Sequence, residues 1–119
     1  MTTPTIILIV SDILIGKSYG EALVASGAEV IVVTDRSELE YYKDIKPTVV
    51  VLDSTLPVPF KDTALTTWVP REFKLIALSS FGSSFDIEEA KALGAIGYIV
   101  KASTTPREFV DKLFNSITR

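Results

Sequence analysis

Apolar and polar positions along the chain follow two alternating rhythms. Five short runs are almost wholly apolar: residues 6–10 (Ile-Ile-Leu-Ile-Val), 29–33 (Glu-Val-Ile-Val-Val), 48–53 (Thr-Val-Val-Val-Leu-Asp), 74–80 (Lys-Leu-Ile-Ala-Leu-Ser-Ser) and 97–101 (Gly-Tyr-Ile-Val-Lys). Each is too short for a helix and shows no in–out alternation, the pattern of a strand buried on both faces. Between them apolar residues recur at helical spacing. Ile15, Tyr19, Ala22, Leu23 and Ala25 predict a helix closed by Gly27 in the left-handed cap position. Ser37-Glu38-Leu39-Glu40 has the form of a capping box and predicts a helix that stops before Pro47. A short helix containing Thr63 to Val69 is expected to end near Pro70. Asp86-Ile87-Glu88-Glu89 opens a further capped helix closed by Gly94, and Thr105-Pro106-Arg107-Glu108 opens the last one with proline at its first position. Five strands alternating with five helices predict an α/β fold, a doubly wound parallel sheet.

Composition narrows the class. At 119 residues, 47% hydrophobic and 23% charged, the chain has the size of one compact domain, residues 1–119, with no room for a second. Twelve Lys+Arg against fifteen Asp+Glu give a net charge of -3, and no basic run is long enough to track a phosphate backbone, so direct nucleic-acid binding is not expected. The N-terminal stretch lacks a basic region before its apolar run, and that run is too short to cross a bilayer; neither secretion nor membrane insertion is indicated, and a cytoplasmic location is expected. With no cysteine and no histidine, disulfides, thiolate or imidazole metal ligands and Ser-His catalysis are excluded. Any chemistry must come from carboxylates, hydroxyls and amines.

Residues 10–18, Val-Ser-Asp-Ile-Leu-Ile-Gly-Lys-Ser, hold two candidates. The tail Gly16-Lys17-Ser18 looks like the end of a phosphate-binding loop, but the first glycine that such a loop needs is replaced by Ser11. The tail therefore reads as the first turns of a helix with a solvated Lys17. The head ends an apolar strand on Asp12. In doubly wound sheets ligands bind beyond the carboxyl ends of the strands, near the point where strand order reverses. Asp12 follows the first strand, Asp53 ends the third, Ser79 and Ser80 end the fourth and Lys101 ends the fifth. Taken singly, each has an ordinary reading: Asp12 or Asp53 a turn residue or helix N-cap, Lys101 a solvated charge, Ser79 a loop hydroxyl, Tyr98 a half-buried strand aromatic. Suitable residues of three types, Asp, Ser and Lys, at four strand ends point to one shared site.

These residues, with Val49–Pro57, Leu75–Ser80 and Gly94–Ala102 around them, closely resemble the receiver domain of bacterial two-component response regulators, over essentially the whole chain. The resemblance implies a flavodoxin-like (βα)5 fold with strand order 2-1-3-4-5. It implies Asp53 as phosphoacceptor, Ser79 and Lys101 as the hydroxyl and ammonium that complete the site, and Ser79 with Tyr98 as the switch pair. It implies Mg²⁺ held by Asp12, Asp53 and the backbone carbonyl of Thr55, and a histidine kinase or histidine phosphotransfer protein as phosphodonor. Such a domain is a signalling acceptor, not an enzyme in the turnover sense, although it can catalyse its own phosphorylation and dephosphorylation; it passes its signal to a downstream protein as a monomer or weak dimer, here with no effector domain. The chain departs from the family pattern where two adjacent acids usually stand, since Ser11 precedes Asp12, and a weakened magnesium site follows. Ala102 replaces the proline that commonly follows the lysine, so a trans Lys101–Ala102 bond is expected. The opposing reading is a pseudo-receiver, an interaction module that works without phosphorylation. Flavin or nucleotide binding on the same fold rests on analogy alone, for want of a glycine-rich phosphate loop. The output face is expected around Tyr98, between the fourth helix, fifth strand and fifth helix.

Overall fold

The structure, a computed structural model, describes residues 3–10, 12–34, 38, 41–42, 45–53, 74–79, 88, 94–100 and 104–117. Five parallel strands, β1 (Thr5–Ile9), β2 (Glu29–Val33), β3 (Val49–Asp53), β4 (Lys74–Ser79) and β5 (Gly97–Val100), form one sheet in the order β2-β1-β3-β4-β5. The chain runs from β1 out to β2 at one edge, then crosses back to β3 on the other side of β1. The reversal point therefore lies between β1 and β3, and the expected 2-1-3-4-5 doubly wound order is the one observed.

Both faces of the sheet are covered, which is why its strands read as continuous apolar runs. On one face Ile6, Leu8, Val49, Val51, Ile76, Leu78 and Ile99 pack with residues of two helices, α1 (Ile13–Ala25) and α2 (Pro106–Ile117). On the other, Ile7, Ile9, Val33, Val50, Leu52 and Leu75 form a second cluster with Tyr42, Ile45 and Ala95 against it.

α1 begins at Asp12, whose Oδ1 accepts from the backbone N–H of Leu14 at 2.9 Å and of Ile15 at 3.3 Å. It ends in a Schellman turn: Ala28 N donates to Leu23 O at 3.2 Å and Gly27 N to Val24 O at 3.0 Å. Gly27 has φ +97° and Gly94 φ +90°, so both glycines occupy the left-handed caps expected of them. On its buried side α1 approaches β2 closely at Gly16, where an added Cβ would stand 2.8 Å from a Val32 methyl and 3.0 Å from a Val10 methyl. Lys17 is exposed on this helix, the solvated position expected of it. α2 opens with the reciprocal capping box: Glu108 N donates to Thr105 Oγ1 at 3.2 Å, and Thr105 N donates to Glu108 Oε1 at 3.0 Å. At its other end Ile117 O accepts from Lys74 Nζ, the first residue of β4, at 2.6 Å.

One expected helix is different where it is described. Glu38, Tyr41 and Tyr42 have 3₁₀ geometry, and Ile45 N donates to Tyr42 O at 3.1 Å. Glu38 Oε1 accepts from Thr34 N at 3.2 Å and from its hydroxyl at 3.3 Å. The first acid of the segment is thus committed to Thr34, and the described turns wind more tightly than an α-helix. Glu88 is helical, in keeping with a helix ahead of Gly94. The helix expected at Thr63–Val69 lies outside the described residues.

Candidate functional site

Strand register decides which side chains can meet. β1 and β3 pair with Ile9 opposite Leu52, and β3 and β4 with Asp53 opposite Leu78. Asp53 is therefore the last residue of the central strand, one step beyond the β1–β3 pairing, and Val10 continues β1 on that side with its N–H donating to Val33 O at 3.0 Å. Asp12 follows two residues later. β4 and β5 pair with Ser79 opposite Val100, so Ser79 ends one step past the partner of Asp53. Asp12, Asp53 and Ser79 thus stand at the carboxyl edge of three neighbouring strands, β1, β3 and β4, with the reversal point between the two carboxylates.

Their environments differ. Asp53 is 0% exposed and Ser79 1%, and neither is without a partner. Asp12 is exposed. Both of its hydrogen bonds fall on Oδ1, so Asp12 caps α1 through one carboxylate oxygen alone. Among the described residues no three His, Cys, Asp or Glu side chains converge as a metal cluster. The donor set at this edge is a pair of carboxylates, which suits Mg²⁺: it takes oxygen ligands, needs only one or two carboxylates and keeps several waters. Tyr98 pairs with Ala77 in the sheet and is 48% exposed. Ser11, Thr55, Lys101 and the Lys101–Ala102 peptide lie outside the described residues, and Lys101 directly follows Val100, the last residue of β5.

Beside this edge lies a cluster that sequence reasoning missed. Tyr19 of α1, 2% exposed, stacks on Phe109 of α2 with ring centroids 4.3 Å apart and planes at 13°. Its hydroxyl donates to Thr104 O at 3.0 Å. Lys112 Nζ donates to Thr104 Oγ1 at 3.2 Å. Burial holds the Tyr19 phenol above its ordinary range, and the negative charge of Glu108 adds to the shift. Glu108 itself is held below the usual carboxylate range by the Thr105 backbone N–H first, then by the Thr105 hydroxyl, with a smaller contribution from Lys112. A buried tyrosine needs a partner for its hydroxyl, and that was the available signal; which carbonyl 85 residues away would supply it was not readable.

The sequence matches no protein-family model and no curated protein. Solved structures do match. A CheY-like response regulator receiver domain from Methanospirillum hungatei superposes with a TM-score of 0.80 at 20% identity, over 98% of this chain and 95% of the other. Chemotaxis protein CheY4 of Vibrio cholerae gives a TM-score of 0.80 at 21% identity, over 97% and 99%. The receiver domain of HemR from Leptospira biflexa gives 0.79 at 23%, over 98% and 96%. The class defined by strand order and layering is the flavodoxin-like α/β fold. Within that class, the fold is that of response regulator receiver domains.

Proposed function

We propose that this chain is a two-component receiver that accepts a phosphoryl group on Asp53 from the phosphohistidine of a kinase or phosphotransfer protein. The observation that carries the reading is the position of Asp53: the last residue of the central strand, next to the strand-order reversal, with Asp12 and Ser79 at the same edge. In the transfer the histidine N–P bond breaks as an O–P bond forms to an Asp53 carboxylate oxygen. Mg²⁺, held by Asp12, Asp53 and the carbonyl of Thr55, would supply charge neutralisation for the phosphoryl oxygens. On the protein's side the work is positioning and electrostatics. Asp53 is presented at a strand end, Lys101 brings an ammonium from the end of β5, and the Ser79 hydroxyl donates to a phosphoryl oxygen. Because Asp53 is fully buried in this conformation, the donor must meet an opened edge. Drawing Ser79 toward the phosphoryl group biases the loop after β4, and Tyr98, exposed before phosphorylation, turns inward.

The domain acts as an acceptor and not as a turnover enzyme, works in the cytoplasm, and hands its signal to a protein bound around Tyr98. No helix among the described residues is long and apolar enough to cross a membrane. One observation favours a second reading, a phosphorylation-independent interaction module: Ser11 stands where receivers usually carry an acid. Intact mass after incubation with acetyl phosphate and Mg²⁺ separates the two. A single phosphate adduct, absent in Asp53→Asn, supports the receiver; no adduct at any Mg²⁺ concentration supports the interaction module.

A further inference from the structure

α1 presents a second, outward side that carries large apolar residues. Ile13 is 70% exposed, Leu14 74% and Val24 57%, and Lys17, Glu21 and Ala25 are exposed with them. Between this helix and the edge strand β2 runs a groove of about 430 Å³, lined by Gly16, Gly20, Val24, Ala25, Val30 and Val32, with Lys17 and Glu21 as its charged members. Exposed apolar residues scattered singly need no explanation, but these are ordered. Leu14, Lys17, Glu21 and Val24 are spaced by three, four and three residues, the spacing of one stripe on a helix. The stripe reads apolar, basic, acidic, apolar, symmetric in position about its centre and opposite in charge across it. Laid antiparallel against a second copy of itself, it therefore matches at every member: Lys17 of each copy faces Glu21 of the other, Leu14 faces Val24 and Ile13 faces Ala25, each contact made twice by the two-fold axis. A parallel pairing would set lysine on lysine and glutamate on glutamate. Within a single helix, lysine four residues ahead of glutamate is the weaker order for a pair, so little is lost when each charge turns to a second copy.

We propose that α1 and the groove beside β2 form a self-complementary surface on which a second copy of this chain docks, with the two α1 helices antiparallel. Ile13 and Leu14 at the start of one helix cover the Val24–Ala25 end of the groove in the other. Lys17 and Glu21 set direction and register, which is what charges at an interface do best. α1 has 13 residues and is about 20 Å long, so the contact falls at the small end of specific interfaces, below about 1,200 Å² in total, and the pair is weak and reversible. β2 and β5 are opposite edges of the sheet, so pairing here leaves the exposed Tyr98 of both copies outside the interface. The proposal does not depend on phosphate transfer to Asp53.

Sedimentation equilibrium of the full chain at rising concentration and low salt tests it. Wild type is expected to be monomeric when dilute and largely paired at about 1 mM, the regime of a small interface. Lys17→Glu gives a stripe with two acids and Glu21→Lys a stripe with two bases. Each alone should self-pair roughly tenfold more weakly, because two symmetric contacts change from attraction to repulsion. An equimolar mixture of the two variants should pair as well as wild type, since both contacts are again between opposite charges, and the chain carrying both substitutions should self-pair once more. Recovery in the mixture also shows that each variant is folded. Val24→Lys, at an exposed position, sets a charge against Leu14 and should remove pairing altogether. Wild type that stays monomeric at about 1 mM, a pair that both charge reversals and Val24→Lys leave at wild-type strength, or a mixture no stronger than its components overturns the proposal.

Discussion

α1 and α2 lie on the same face of the sheet and solve the same problem at their N-termini in opposite ways. Each must satisfy backbone N–H groups that have no partner within the helix. α2 does so with a closed loop of bonds, Thr105 to Glu108 and back, in which one oxygen of the acid, Oε1, accepts. α1 uses one oxygen of Asp12 and leaves the other outside the cap at the carboxyl edge of the sheet. Both acids keep a second oxygen outside the cap, and what separates them is place: Asp12 follows β1 beside the strand-order reversal, whereas Glu108 lies beyond the edge strand β5. The pair shows that capping a helix need not use up the acid that caps it.

The core that the two helices share gives the largest effect. Phe109 is fully buried and stacked on Tyr19, so Phe109→Ala should cost about 3–5 kcal/mol in denaturant unfolding, with both helices losing the contact. A stability loss below about 1 kcal/mol would mean that α1 and α2 do not share a core.

Next is the close approach that only α1 has. Gly16→Ala gains about 1 kcal/mol of helix propensity but drives a methyl into Val32 and Val10, a cost of about 1–3 kcal/mol. A net loss of about 1 kcal/mol is expected, readable as a lower midpoint at an unchanged slope. A stabilised variant would show that the helix can rise off β2 freely.

The closed cap comes third. Thr105→Ala should destabilise by about 1 kcal/mol and move the Glu108 titration up toward its ordinary value. The sign is set by the lowered pKa in the folded state: the contribution of Glu108 is present above its ordinary value of 4.5 and is lost as pH falls through the folded value. The difference between wild type and variant should therefore narrow in acid by the part that runs through the Glu108 charge, while the loss of the Thr105 hydroxyl cap persists. Carboxyl-resolved NMR titration with parallel melts checks both statements.

The smallest stability effect carries the most functional weight. Asp12→Asn preserves the cap, because asparagine caps as well as aspartate, and should change stability by less than about 1 kcal/mol. On the receiver reading it should nevertheless abolish measurable Mg²⁺ binding and Mg²⁺-dependent phosphorylation. Retained Mg²⁺ affinity would reduce Asp12 to a cap like Thr105.

The sheet was legible because its strands are buried on both faces, and burial writes itself into a sequence as uninterrupted Val, Ile and Leu. β2 begins and ends where the apolar run does, and β1 is displaced by one residue, since Val10 still bonds to Val33 but stands beyond the ladder. Caps that depend on neighbouring residues, Gly27, Gly94 and Thr105 with Glu108, were legible for the same local reason. Thr34 was not: nothing in its surroundings says that Glu38 will reach back to it and tighten the turn. The carboxyl-edge residues could be chosen by type and strand position. The bond from Tyr19 to Thr104 depends on a distance between elements that no local pattern records.

The bond from Lys74 to the carbonyl of Ile117 has a consequence for the order in which the protein can form. The first residue of β4 waits for a partner 43 positions later in the chain. At a synthesis rate of about 5–20 residues per second, that partner is made about 2–9 s after Lys74. Until then β4 can pair with β3, but its entrance stays without the bond that ties it to the final helix. A chain stopped within α2 would lack the carbonyl that closes the entrance of β4.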